Sequence, residues 1–394
     1  MTVWSDHAIE QSQDSRATGR GLTLVAAFCL SLLVFCASAL VAFLLRTDWA
    51  QLAGLGFSGT TVPDALSLEK SVYVAWSNSW DNIPNIRTFL GTVIVYFPIT
   101  LWGSGYAAFA NVIMLAAAAT LFYSILQRVD RDRQTGIWLV AIALVSSNFY
   151  VIACIFYPNK EIPLILLSTL ALWGLLYGKW PLVVVSIVLC YWFRDGYALI
   201  MAMVLVVALS RRFAFVSGGV ISGLFLVLLF LSFPIADLSA VDASLQRNVQ
   251  IGSLIAGDKF SAFGDIAAYL ARLIGNAFNL GLRPQMADVN GGINLLAIGY
   301  WQFGIILLGG LFWSARNVLT DDVSRGTTAL VAIVVLLGIS YGTFVQPRYM
   351  MPLIFPLTLG LSDSPLGRYI VIPAAILFPL LFLVAGVLPP LADA

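Results

Sequence analysis

Uninterrupted apolar runs dominate this chain. From Leu22 to Leu45 there is no charged side chain, and comparable runs recur up to the last few residues. A stretch of ~18 or more such residues is long enough to cross a bilayer as a helix. Over the whole sequence 60% of residues are hydrophobic and 10% charged, against about 25% charged in soluble domains. A chain this uniform has no wettable surface to spare, so a polytopic all-α transmembrane bundle is expected. A β-barrel is not expected, because its strands would alternate apolar and polar residues.

The runs predict spans near 22–45, 104–127, 136–157, 162–178, 181–193, 197–210, 214–234, 292–315, 327–345, 349–362 and 369–388, about 11–12 crossings in all. The expected organisation is an N-terminal cytoplasmic tail (1–21), one transmembrane domain (22–388) and a C-terminal tail (389–394). The tail before the first run lacks a signal peptide's short basic region, and no small-residue cleavage site follows, so the first run reads as a retained helix.

Basic residues in short loops set the orientation. Arg16, Arg20, Arg128, Arg131, Arg133, Lys179, Arg211, Arg212, Arg316, Arg325 and Arg368 fit one cytoplasmic side. Two longer segments, 46–103 and 235–291, then face the periplasm. Within the first, 88–103 reads as an outer-surface or re-entrant piece. Within the second, 261–280 reads as an amphipathic helix carrying Phe263, Ile266, Leu270, Ile274 and Phe278 near one face.

Three short turns on the outer side carry cations against the insertion bias. They are Lys160 in "YPNKEIP", Arg194 in "WFRDGY" and Arg348 in "VQPRYM"; Arg283 lies in the second long segment. Cations retained there point to a bound anion, because guanidinium groups grip phosphate bidentately and lysine adds a compact charge. The helix starting near Ile162 can add free amide groups. The competing reading is interfacial snorkelling, with Glu161 and Asp195 as the counter-ions of their own neighbours. For acid/base chemistry the candidates are Glu161, Asp195 and Asp48, with Asp81 behind them; a carboxylate at a low-dielectric boundary can hold its proton more tightly and act as acid or base.

The only histidine is His7, in the N-terminal tail. A Ser-His-Asp relay or a histidine-held metal in the membrane domain is therefore not available. Cys29, Cys36, Cys154 and Cys190 form no Cys-x-x-Cys pair, so no zinc site or disulfide framework is suggested. No metal, no cofactor and no nucleic-acid partner are expected.

The hydropathy pattern, the outer arginines and the turns "YPNKE" and "FRDGYAL" resemble the Wzy-type oligosaccharide repeat-unit polymerases of O-antigen and exopolysaccharide assembly. The stretch "QPRYMMPLIFPL" resembles late helices of lipid-dependent GT-C membrane glycosyltransferases. The resemblance implies a bacterial inner-membrane enzyme that joins oligosaccharide units carried on undecaprenyl pyrophosphate, at the periplasmic face. It also implies partners in a flippase and a chain-length regulator of the same pathway. Lys160, Arg194, Arg283 and Arg348 would bind the substrate, and Glu161, Asp195 and Asp48 would be the catalytic candidates. The Arg-x10-Gly motif of some such polymerases has one match, Arg212 to Gly223, and it starts on the cytoplasmic side. The outer-loop histidine of related ligases is missing. A GT-C transferase using a polyprenyl-phosphate donor and a flippase or transporter of lipid-linked sugars are the alternatives.

Overall fold

A computed structural model describes residues 22–45, 71–75, 77, 86–103, 105–212, 270, 273–278, 295–341, 347–363, 365 and 367–377. Among them all regular structure is helical and there is no strand. The elements are α1 (Leu24–Leu45), α2 (Ile86–Tyr96), α3 (Ile99–Trp102), α4 (Gly105–Val129), α5 (Gln134–Ser146), α6 (Phe149–Ile155), α7 (Glu161–Tyr177), α8 (Trp180–Phe193), α9 (Asp195–Arg212), α10 (Leu295–Asn317), α11 (Val323–Tyr341), α12 (Ile354–Leu357) and α13 (Leu359–Asp363). A 3-10 stretch, Pro347–Leu353, leads into α12, and a π turn, Gly367–Val371, follows α13.

Four helices among the described residues are long and apolar enough to cross a membrane: Leu24–Leu44, Gly105–Val129, Ile298–Asn317 and Val323–Ser340. A fifth crossing results if the pair Arg131–Ser146 and Phe149–Ile155 is one span. Of the shorter apolar helices, α7 packs on α4, and α8 packs on α7 and α9. The chain is thus a multi-pass membrane protein, all-helical over the described residues.

Two contacts identify the ends of the bundle. At the start of α7, Glu161 lies beside Arg194. At its other end, the Tyr177 ring lies under the Arg128 guanidinium, 4.7 Å from centroid to Cζ. The 17 residues of α7 separate these ends by about 25 Å at 1.5 Å per residue. Gly178 ends α7 in the left-handed conformation, φ 67°, where a side chain would be strained.

The continuous span expected over 136–157 is instead broken. α5 and α6 meet at 72° across Ser147 and Asn148. Asn148 caps α6 through its side-chain oxygen, which accepts from the Tyr150 and Val151 amides, and its amide donates to the Gly299 carbonyl at 2.9 Å. Gln302 donates to Leu144, Ser147 and Ala375. These bonds satisfy backbone groups that a break inside a bilayer would otherwise leave without partners.

The run expected over 349–362 is also not one helix. Its 3-10 start and the short α12 and α13 follow from Pro347, Pro352 and Pro356, which remove backbone donors. The segment nevertheless traverses the bundle: Tyr349 sits against Arg194 at one end and Asp363 pairs with Arg133 at the other. A 3-10 helix rises about 2.0 Å per residue, so it covers this distance in few residues.

Helix packing relies on small residues, as membrane helices do where apolar burial alone drives little association. A Cβ added to Gly360 would overlap the Gly309 carbonyl oxygen, and one on Gly299 would lie 2.5 Å from the Tyr150 nitrogen. Much of the apolar surface is left outward. Val184, Val185 and Val188 of α8 are exposed, as are Val25, Leu33 and Leu44 of α1, which suits a lipid-facing surface.

Of the long segments, α2 holds 11 residues, too few to cross a core of about 30 Å. It packs on α8, with Gly91 against Phe193. The predicted span 214–234, residues 378–388 of the predicted span 369–388 and nearly all of 235–291 lie outside the described residues. Of the predicted helix over 261–280, Leu270 and 273–277 are helical. There Leu270, Ile274 and Phe278 are exposed, while Asn276 is buried and donates to Ser340.

Candidate functional site

Two turns and one 3-10 helix meet at the Glu161 end. The "YPNKE" turn joins α6 to α7, Arg194 joins α8 to α9, and Pro347–Leu353 follows α11. Arg194 is extended, φ −163° and ψ 101°, and separates the two helices. Its amide donates to the Cys190 carbonyl at 2.7 Å, and its carbonyl accepts from Tyr197 and Ala198. One residue thus closes α8 and opens α9, which fixes where its side chain emerges. The guanidinium lies over the Tyr349 ring, 4.3 Å from the centroid, and its Nη2 is 3.9 Å from Glu161 Oε1. Both side chains are mostly covered, with 20% of Arg194 and 14% of Glu161 exposed.

Glu161 occupies the first turn of α7, where a carboxylate meets the positive end of the helix dipole. Its Oε2 also accepts from the Lys160 amide at 3.2 Å. The capping bond of α7 comes from Asn159, whose Oδ1 accepts from the Ile162 amide at 2.8 Å.

The partner of Glu161 across the site is Arg194. Reading each turn as a self-contained pair of neighbours, Lys160 with Glu161 and Arg194 with Asp195, misses this cross-turn ion pair. The side chains of Asp195 and Arg348 lie outside the described residues, as do Asp48 and Arg283 altogether. The backbone at Arg348 adjoins Tyr349, and so it belongs to the element that meets Arg194.

Beneath the turn is a buried polar group that periodicity did not single out. Asn111 of α4 is fully buried and donates to the carbonyls of Cys154, Ile155 and Tyr157 at 3.1, 3.0 and 2.9 Å. The Tyr96 hydroxyl of α2 donates to Asn111 Oδ1. A lone carboxamide inside an apolar run was the available signal, because membrane interiors tolerate such groups only where they are satisfied or used.

A second set of charges gathers at the opposite end. Asp130 pairs with Arg133 and, at 3.5 Å, with Arg325. Arg133 reaches Asp363 at 3.1 Å, and Arg325 Nε donates to the Val129 carbonyl at 3.0 Å. Ile137, Trp313 and Leu359 wall a small cavity beside these groups. This set ties the α4–α5 corner to α11 and α13.

Among the described residues no three His, Cys, Asp or Glu side chains come together as a metal-binding group. No family model, curated protein or solved structure matches the chain.

Proposed function

We propose that this chain is a bacterial inner-membrane glycosyltransferase of about 11–12 crossings that polymerises oligosaccharide repeat units carried on undecaprenyl pyrophosphate. What supports this reading is the meeting of Glu161, Arg194 and the Tyr349 ring at one end of the bundle, opposite the arginine-rich Arg128–Arg133 end. The positive-inside tendency makes the arginine-rich end cytoplasmic. The cations of the "YPNKE" and "FRDGY" turns then stand at the periplasmic boundary, where the lipid-linked pyrophosphate of such a substrate lies.

The chemistry is a displacement at the anomeric carbon. A hydroxyl of one lipid-linked unit attacks that carbon on the growing chain, a new glycosidic bond forms, and the bond to the pyrophosphate oxygen breaks. Glu161 takes the proton of the attacking hydroxyl, with Asp195 and Asp48 as further candidate bases. Lys160, Arg194 and Arg348 neutralise the charge developing on the departing undecaprenyl pyrophosphate, and Arg283 is a further candidate. Glu161 also holds the Arg194 fork in place.

The test is carried out in cells. A strain lacking the chain accumulates single repeat units on the lipid carrier and loses long surface glycan. The wild-type chain restores the ladder, while Arg194→Ala and Glu161→Gln insert normally and do not. Wild-type glycan lengths in the deletion strain would sink the reading. Full-length glycan in both variants would remove this site from it.

A further inference from the structure

We infer that Tyr96, Asn111 and Asn159 are positioning residues that fix the Tyr157–Glu161 turn so that Glu161 faces Arg194. The inference rests on the reading that this turn serves the reaction, but its geometry stands independently.

The three side chains come from three places in the chain and are all buried, Tyr96 and Asn111 fully and Asn159 to 3% exposure. They converge on the point where α6 ends and α7 begins. Here the chain leaves the last turn of one helix and enters the first turn of the next within a few residues, so backbone groups at both ends lack helical partners. Asn111 collects the carbonyls of Cys154, Ile155 and Tyr157. Asn159 donates to Cys154 and Tyr157 at 2.8 and 2.9 Å while its oxygen accepts from Ile162. Two carboxamides thus hold the carbonyls of the outgoing helix, and one of them also caps the incoming helix. The Tyr96 hydroxyl donates to Asn111 and receives a 3.4 Å bond from Asn159.

Glu161 lies two residues beyond Asn159. Asn159 sets the register of the Ile162 amide, and Lys160 and Glu161 stand between those two. A turn that could rock would sweep the Glu161 carboxylate past Arg194. Fully satisfied buried networks are rigid for the same reason that partly satisfied ones are costly. The network also links α2, in the first long outer segment, to a site built otherwise from later parts of the chain.

Two measurements on the purified full chain in lipid nanodiscs test this. Tyr96→Phe keeps the ring and removes only the hydroxyl. Amide hydrogen exchange is followed over residues 154–165, with Trp173→Phe, which removes a hydrogen bond to Ser124 at the other end of α7, as the control. Exchange in 154–165 should quicken about tenfold, the size expected from one lost hydrogen bond, and the control should leave it unchanged. Polymer synthesis from purified lipid-linked repeat units is then measured for the same variant. A lower turnover with unchanged half-saturation supports the inference, and Asn159→Ser, which keeps an oxygen for the Ile162 amide, should retain more turnover than Asn159→Ala.

Unchanged exchange in Tyr96→Phe overturns the inference and leaves the polymerase reading standing. Faster exchange with wild-type turnover overturns it too, since the network would then serve the fold alone. If the wild-type chain makes no polymer, the functional reading fails, and the exchange result still decides whether the network fixes the turn.

Discussion

Glu161 Oε1 and Arg194 Nη2 stand 3.9 Å apart across the hairpin of α7 and α8, and the same guanidinium lies over the Tyr349 ring. The arginine is therefore held on two sides by groups from different helices. A long ion pair of this kind contributes up to about 1 kcal/mol. A double-mutant cycle with Glu161→Gln and Arg194→Gln, read from thermal unfolding in detergent, should give a coupling near that size. A coupling near zero would mean that the two side chains do not hold each other.

Arg194→Lys should not rescue the site. Lysine keeps the charge and loses the planar fork and the face that stacks on tyrosine. The stacking contributes about 1–2 kcal/mol, which is about tenfold in affinity. Binding of a pyrophosphate-bearing lipid, followed by titration in nanodiscs, should weaken by that factor in Arg194→Lys.

The two ends of the bundle should label from opposite sides. In a background with the four native cysteines replaced, Lys160→Cys should react with a membrane-impermeant thiol reagent added to intact cells. Arg131→Cys should react only after the membrane is opened. Labelling of both from outside would invert or break the orientation proposed for the chain.

At the opposite end, Asp130→Ala should leave Asp363 as the carboxylate partner of Arg133 and Asp322 as that of Arg325. Both arginines are partly open to solvent, 35% and 37% exposed, so the loss should cost up to about 1 kcal/mol. The thermal midpoint should fall, and less so at high salt, where the exposed remainder of the cluster is screened.

Two glycines should respond in opposite directions to alanine. Gly360→Ala places a carbon on the Gly309 backbone and should destabilise by about 1–3 kcal/mol, the usual cost of overpacking. Gly136→Ala meets nothing within 4 Å and lies inside α5, so it should stabilise by about 0.5–1 kcal/mol. Unfolding midpoints of the two variants, measured side by side, check both.

Element positions were legible where apolar runs were long and unbroken. The reading of 162–178 and 181–193 falls within a residue or so of Glu161–Tyr177 and Trp180–Phe193. The bend at Ser147 and Asn148 was not legible, because hydropathy averages over the break; the polar "SSN" triplet was its only trace. The 3-10 stretch after Tyr341 was hidden in the same way, although its prolines were in view. At the candidate site, the sequence brought out Lys160, Glu161 and Arg194 but not which of them meet. Neighbours in sequence looked like natural partners, and only the antiparallel return of α8 brings Arg194 back to the start of α7. Asn111 was missed because one amide among apolar residues carries no periodicity.

The supports under the "YPNKE" turn are carboxamides and a phenol, not acids or bases of ordinary strength. Carboxamides neither gain nor lose protons in water, so acidification of the surroundings leaves that scaffold's bonding pattern alone. The frame that presents Glu161 thus keeps its shape over a wide range of acidity.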